Sequence, residues 1–76
     1  MNHKQKELLE EVISDLRQYY SNFNARILSE EGDTIRISVE MPQDEDKNWE
    51  LSGHLAEKLT KILVDYGYYF WVLPSR

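Results

Sequence analysis

Tyr66-Gly67-Tyr68-Tyr69-Phe70-Trp71-Val72-Leu73-Pro74 decides how the rest of the chain is read. Tyr66 is the last apolar residue of a helical repeat, and Gly67 stands where a left-handed C-terminal cap belongs. Aromatic and β-branched residues then follow without a linker, which predicts a strand over 68–73 that Pro74 stops. A strand directly after a helix closes a strand–helix–strand crossover, so this segment turns a helix and a hairpin into a mixed sheet. Both of its faces are apolar: Tyr68, Phe70 and Val72 on one, Tyr69, Trp71 and Leu73 on the other. Helices in a two-layer α/β domain cover only one sheet face, so one of these sets must lie on the open face.

Upstream, Leu51, Leu55, Leu59, Ile62 and Tyr66 repeat at helical spacing, with Ala56 and Leu63 widening the stripe. Asn48 is the expected N-cap of this second helix, and the acids before it in the polar loop 43–48 favour the positive end of its dipole. Before Pro42, Ile35, Ile37, Val39 and Met41 alternate with Thr34, Arg36, Ser38 and Glu40, a strand over about 34–41. Phe23, Ala25 and Ile27 alternate less cleanly with Asn24, Arg26 and Leu28, a second strand over about 23–30. Glu30-Glu31-Gly32-Asp33 between them reads as a short polar hairpin loop whose glycine suits a bulge. At the start, Leu8, Leu9, Val12, Ile13, Leu16 and Tyr19 or Tyr20 form one helical stripe, a first helix over about 4–20.

The expected fold is therefore a single α+β domain over 1–76, in the order αββαβ. Two helices pack on one face of a three-stranded mixed sheet, with the last strand parallel to the second and the crossover right-handed. That order resembles small αββαβ domains such as the type II KH-like group and its BolA-type relatives. The resemblance covers element order alone. The KH group clamps RNA with a Gly-x-x-Gly loop, and Gly32, Gly53 and Gly67 nowhere form one.

At 76 residues, 41% hydrophobic and 12% aromatic, the chain is long enough for one core and too apolar for disorder. Nine Lys plus Arg against fourteen Asp plus Glu, a net −5, oppose a life on phosphate backbones or anionic lipid. With no cysteine there is neither disulfide nor thiolate site. The longest apolar run, Tyr68 to Leu73, falls far short of the roughly 20 residues of a membrane helix. Met1 to Lys6 leads into a charged helix rather than a secretion signal, so a cytoplasmic address is expected.

Chemistry-bearing patterns are few. Asp44, Asp46 and Asn48 have the one-three-five spacing of an EF-hand loop, but Trp49 stands where Gly is needed and Leu55 where the bidentate Glu is needed. His54 and Glu57 share a helix face, yet two ligands make no zinc site, and His3 lies at the terminus. None of Ser14, Ser21, Ser29, Ser38, Ser52 and Ser75 lies in a nucleophile elbow, and Ser52 and His54 are two apart on a helix and face different ways. Two helices on three strands leave little room for a concave pocket. The expectation is a chain that is not an enzyme and takes no metal or cofactor.

The open sheet face carries the functional expectation. With Phe70 and Tyr68 inside, since Phe70 has no polar group to satisfy, Tyr69 and Trp71 lie outside with Arg36, and Arg26 and Leu28 join them from the first strand. Tyr, Trp and Arg are the types enriched at binding hot spots. Covering by the chain's own termini or acidic loop is the bland reading of these aromatics; a single-stranded nucleic-acid or RNA platform is the alternative functional one. From Glu30 to Glu50 eight acids stand against Arg36 and Lys47, a local net of −6, while the rest of the chain is near neutral. Glu30, Glu31 and Asp33 at the hairpin and Asp44, Glu45 and Asp46 after the second strand thus flank the sheet at opposite ends. The expected function is that of a small acidic protein-binding module, an adaptor, inhibitor or regulator, whose partner is a basic protein or a second copy of the chain.

Overall fold

The computed structural model describes residues 2–74, and Met1, Ser75 and Arg76 lie outside the described residues. Its elements are α1 (His3–Leu16), β1 (Asn24–Glu31), β2 (Thr34–Glu40), α2 (Glu45–Tyr66) and β3 (Tyr69–Pro74). The sheet order is β1-β2-β3, with β2 antiparallel to β1 and parallel to β3. This is the α+β fold and the element order expected from the hydrophobic periods.

The core forms between the inward row of the sheet and the two helices. Ile35, Ile37 and Val39 of β2 and Phe70 of β3 are buried with Leu8, Leu9, Val12 and Leu16 of α1 and Leu51, Leu55 and Ile62 of α2. Phe23, just ahead of β1, is buried with them. One ion pair, Lys58 Nζ to Asp15 Oδ2 at 2.9 Å, links the helices at their half-exposed seam.

Four boundaries differ from expectation, each for a local reason. The first helix stops at Leu16 rather than near 20, because the Arg17 guanidinium turns to donate to the Phe23 carbonyl at 2.9 Å and the chain reverses over 17–22. Tyr19 and Tyr20 therefore lie beyond the helix. Its start is held by a capping box: Asn2 Oδ1 accepts from the Gln5 N–H at 2.7 Å, and Gln5 Oε1 accepts from the Asn2 N–H at 3.0 Å.

The second helix begins four residues earlier than expected, and Asp44 replaces Asn48 as its N-cap. The Asp44 carboxylate accepts the Lys47 N–H at 3.1 Å, with Glu45 and Asp46 in the first turn where the helix dipole favours anions. Asn48 instead donates from Nδ2 to the Pro42 carbonyl at 3.2 Å, tying the helix to the end of β2. The polar loop shrinks to residues 41–44.

In the hairpin only Gly32 and Asp33 form the turn, Gly32 at φ +59°, and Glu30 and Glu31 belong to β1. The bulge lies further back, between Ile27 and Ser29, where Ile27 pairs with Ile37 but Ser29 pairs with Arg36. Leu28 is the extra residue, which explains why the apolar alternation of this strand blurs. The third strand starts at Tyr69, leaving Tyr68 half-buried just before it, and closes on Pro74.

Gly67 caps α2 at φ +78°, its N–H donating to the Leu63 carbonyl at 2.9 Å. An added Cβ there meets no atom within 4 Å, so only the left-handed backbone opposes a side chain. Gly67→Ala is therefore expected to lower stability by about 1–2 kcal/mol, and Asp44→Ala by about 1 kcal/mol through loss of the cap. Urea unfolding followed by circular dichroism measures both; an Asn48→Ala variant costing more than Asp44→Ala contradicts the cap assignment.

Candidate functional site: the open face of the sheet

Register decides what each strand shows. Paired residues share a face, so Phe70 and Val72 lie beside Ile35 and Ile37 under the helices, and Trp71 and Leu73 lie beside Arg36 and Ser38 on the opposite side. Phe70 is 3% exposed and Trp71 45%. The face with Phe70 inward is thus the one expected, and Tyr68, in phase with it, packs half-buried against the core. On the other side of β2, Arg26 pairs with Ser38 and Ser29 with Arg36, which puts both on the open face. The bulge sends Leu28 outward beside Ser29, at 49% exposure.

The residues Tyr69, Trp71, Arg36, Leu28 and Arg26 are therefore all exposed on one side of the sheet. Its centre is the Arg36 guanidinium, which lies over the Trp71 ring at 5.0 Å from the centroid. That contact follows from the Arg36–Trp71 pairing of adjacent parallel strands. It sets a long cationic side chain over the face of an aromatic one. Tyr69 sits one pleat away at the same exposure as Trp71.

The acidic residues divide as the topology requires. Asp33 lies in the hairpin turn with Glu31 beside it in β1, and Asp44, Glu45 and Asp46 cap α2 beyond the far end of β2. Both groups are exposed. Glu30 pairs with Ile35, so it shares the helix-facing side of the sheet edge rather than the open face. The one-three-five oxygen spacing from Asp44 falls on a helix start, with the Asp44 carboxylate engaged as the cap. Among the described residues no three His, Cys, Asp or Glu side chains gather as a metal-binding group.

Away from the sheet face, Tyr19 stacks on His54 at 4.2 Å between centroids, and His54 Nε2 is 3.9 Å from a Glu50 carboxylate oxygen. Ser52 Oγ donates to Asn48 Oδ1 rather than to His54. A groove of about 570 Å3 opens between α2 and the ends of β2 and β3, a concavity the element count did not anticipate. Val39, Leu55, Leu59 and Val72 line it, with no ionisable side chain among its walls. It offers shape and apolar contact but no acid, base or nucleophile.

Sequence reasoning missed the outer flank of α2. Trp49, noticed only as a misfit in a calcium loop, is 83% exposed on the first turns of that helix. The signal was present: on the helical wheel Trp49, Ser52, Ala56, Thr60 and Leu63 follow one another on a flank whose one charge, Glu45, lies in the first turn. No protein-family model, curated protein or solved structure matches this chain. Among the described residues no helix is long and apolar enough to cross a membrane.

The two faces of β3 respond differently to truncation. Phe70→Ala is expected to cost about 3–5 kcal/mol, the range for emptying a core aromatic, while Trp71→Ala costs about 1 kcal/mol or less, since it loses only a half-exposed contact. Equilibrium urea unfolding at one fixed chain concentration compares them. Equal losses for the two variants contradict the assignment of faces.

Proposed function

We propose that this chain is a small acidic, non-catalytic protein-binding module of the cytoplasm, an adaptor, inhibitor or regulator that docks a larger partner on its open sheet face. The observation that carries this reading is the Arg36–Trp71 stack at the centre of that face, flanked by exposed Tyr69 and Leu28. Trp, Tyr and Arg are the residue types that concentrate binding energy at protein contacts, and the contact with Trp71 holds the Arg36 guanidinium at the centre of the face. An apolar patch rimmed by polar groups is the usual mark of a contact surface.

Charge suggests the partner's chemistry. Asp33 and Glu31 at one end of the sheet and Asp44 to Asp46 at the other border the aromatic centre with negative potential, which speeds encounter with a basic protein. The same acids repel phosphate backbones, so stacking of nucleic-acid bases on Tyr69 and Trp71 is the weaker reading despite the suitable aromatic geometry.

Capture from native lysate with and without nuclease tests the proposal, using the parent chain beside Arg36→Ala and Leu28→Asp. A stoichiometric protein retained after nuclease is expected with the parent. Arg36→Ala should weaken that complex by about 2 kcal/mol or more, with the thermal melt nearly unchanged. Capture that ignores both variants overturns the open-face reading. Salt-sensitive binding of oligonucleotides that Arg36→Ala abolishes replaces it with the nucleic-acid one.

A further inference from the structure

The two edges of the sheet are not alike. β1 carries a bulge at Ile27–Ser29 and the charged side chains Arg26, Glu30 and Glu31, devices that discourage another strand from pairing there. β3 has no bulge in its pairing with β2 and no charged residue anywhere from Tyr66 to Pro74. The Tyr69 N–H donates inward to the Asp33 carbonyl at 3.0 Å. By the two-residue period, Phe70 and Val72 direct their N–H and C=O groups outward along the free edge.

The flank of α2 above this edge carries no charge from Trp49 to Leu63, with Glu45 on the same stripe in the first turn. The other side of the helix meets α1 through Lys58 with Asp15, and the turn after α1 through His54 with Tyr19. The β3 side shows Ser52, Ala56, Leu59 and Leu63, with Trp49 exposed at its N-terminal end. We infer that a second copy of this chain pairs antiparallel with the free edge of β3, making a six-stranded sheet on which the two α2 helices pack side by side.

Self-pairing is favoured over other occupants by charge and by symmetry. A chain with net charge −5 repels its own copy wherever acids face each other, and the edge of β3 and the α2 flank from Trp49 to Leu63, which carry no charge, let two copies approach without that cost. A basic partner gains little along β3 and the middle of α2, since the nearest acids, Glu45 and Asp46, lie in the first turn of α2 beside Trp49. A two-fold axis at Trp71 pairs Phe70 with Val72 of the second copy in both directions, satisfying all four outward groups of each strand. Strands about 4.8 Å apart beneath helices about 10 Å across bring the two α2 flanks into contact. Ser52 and Ala56 allow close approach there, and the antiparallel arrangement sets Trp49 toward Leu63 and Val64 of the second copy. The doubled sheet then carries two Arg36–Trp71 stacks side by side on its open face.

This inference does not rest on the proposed partner binding, and the variants that should dissociate the dimer, at Ser52 and Ala56, lie off the open face. Sedimentation equilibrium from micromolar to millimolar chain should show the parent at twice its 9.1 kDa mass. Ala56→Glu and Ser52→Glu change exposed helix positions and should keep the parent's circular dichroism while raising the dimer dissociation constant at least about tenfold. Mixing Ala56→Glu with Ala56→Lys should restore a heterodimer. Because the chain has no cysteine, Trp71→Cys should form an intermolecular disulfide under mild oxidation and Leu28→Cys should not. A parent monomeric throughout the range, a folded Ala56→Glu as dimeric as the parent, or cross-linking favoured by Leu28→Cys overturns the inference.

Discussion

Burial of the inward side chains of β2 is the constraint on which the rest of the structure depends. Ile35, Ile37 and Val39 are at most 2% exposed, and β2 is the one strand among the described residues with a neighbour on each side. β1 and β3 pair directly with β2, and both helices bury their apolar stripes in the same cluster as this row. Hydrogen-bond pairing of β1 and β3 to β2 then fixes their faces, because a strand paired one residue out of register would turn all its side chains over. Arg36 meets Trp71 for that reason. The pairing that buries Phe70 beside Ile35 also sets the next pair, one pleat on, against each other in the open.

Two helices on three strands leave half of the sheet uncovered, and the chain treats the exposed parts unequally. β1 is bulged and charged. β3 is smooth, aromatic and free of charge, and the helix above it turns the same way a flank that carries no charge from Trp49 to Leu63. The acids gather at the two ends of β2, in the hairpin turn and in the first turn of α2, where they also serve as cap and dipole partners. Capping acids thus lie at one end of the sheet, and its exposed aromatic side chains lie on the open face and along the β3 edge.

Helix ends show how local chemistry competes with period. The apolar stripe of α1 continues through Tyr19 and Tyr20, yet the helix yields at Leu16 because the Arg17 guanidinium and the Phe23 carbonyl satisfy one another across a tight reversal. Asp44 and Asn48 are both good caps. Asp44 prevails because an earlier start adds a turn of helix over the end of β2 and frees Asn48 to satisfy the Pro42 carbonyl. Each outcome depends on a partner from a neighbouring segment.

By itself the sequence determined the element order, the inward row of β2, the left-handed cap at Gly67 and the two-faced character of β3, because hydrophobic period and glycine conformation are local properties. It therefore also required an aromatic surface on the open sheet face. The tertiary structure decided what depends on pairing and packing: the bulge that turns Leu28 outward, the stack of Arg36 on Trp71, the shift of the α2 cap to Asp44, and the flank of α2 that α1 leaves bare. A helical wheel marks that flank as uncharged from Trp49 to Leu63. Only the docking of α1 on the opposite side, through Asp15 and Lys58, decides that it stays exposed.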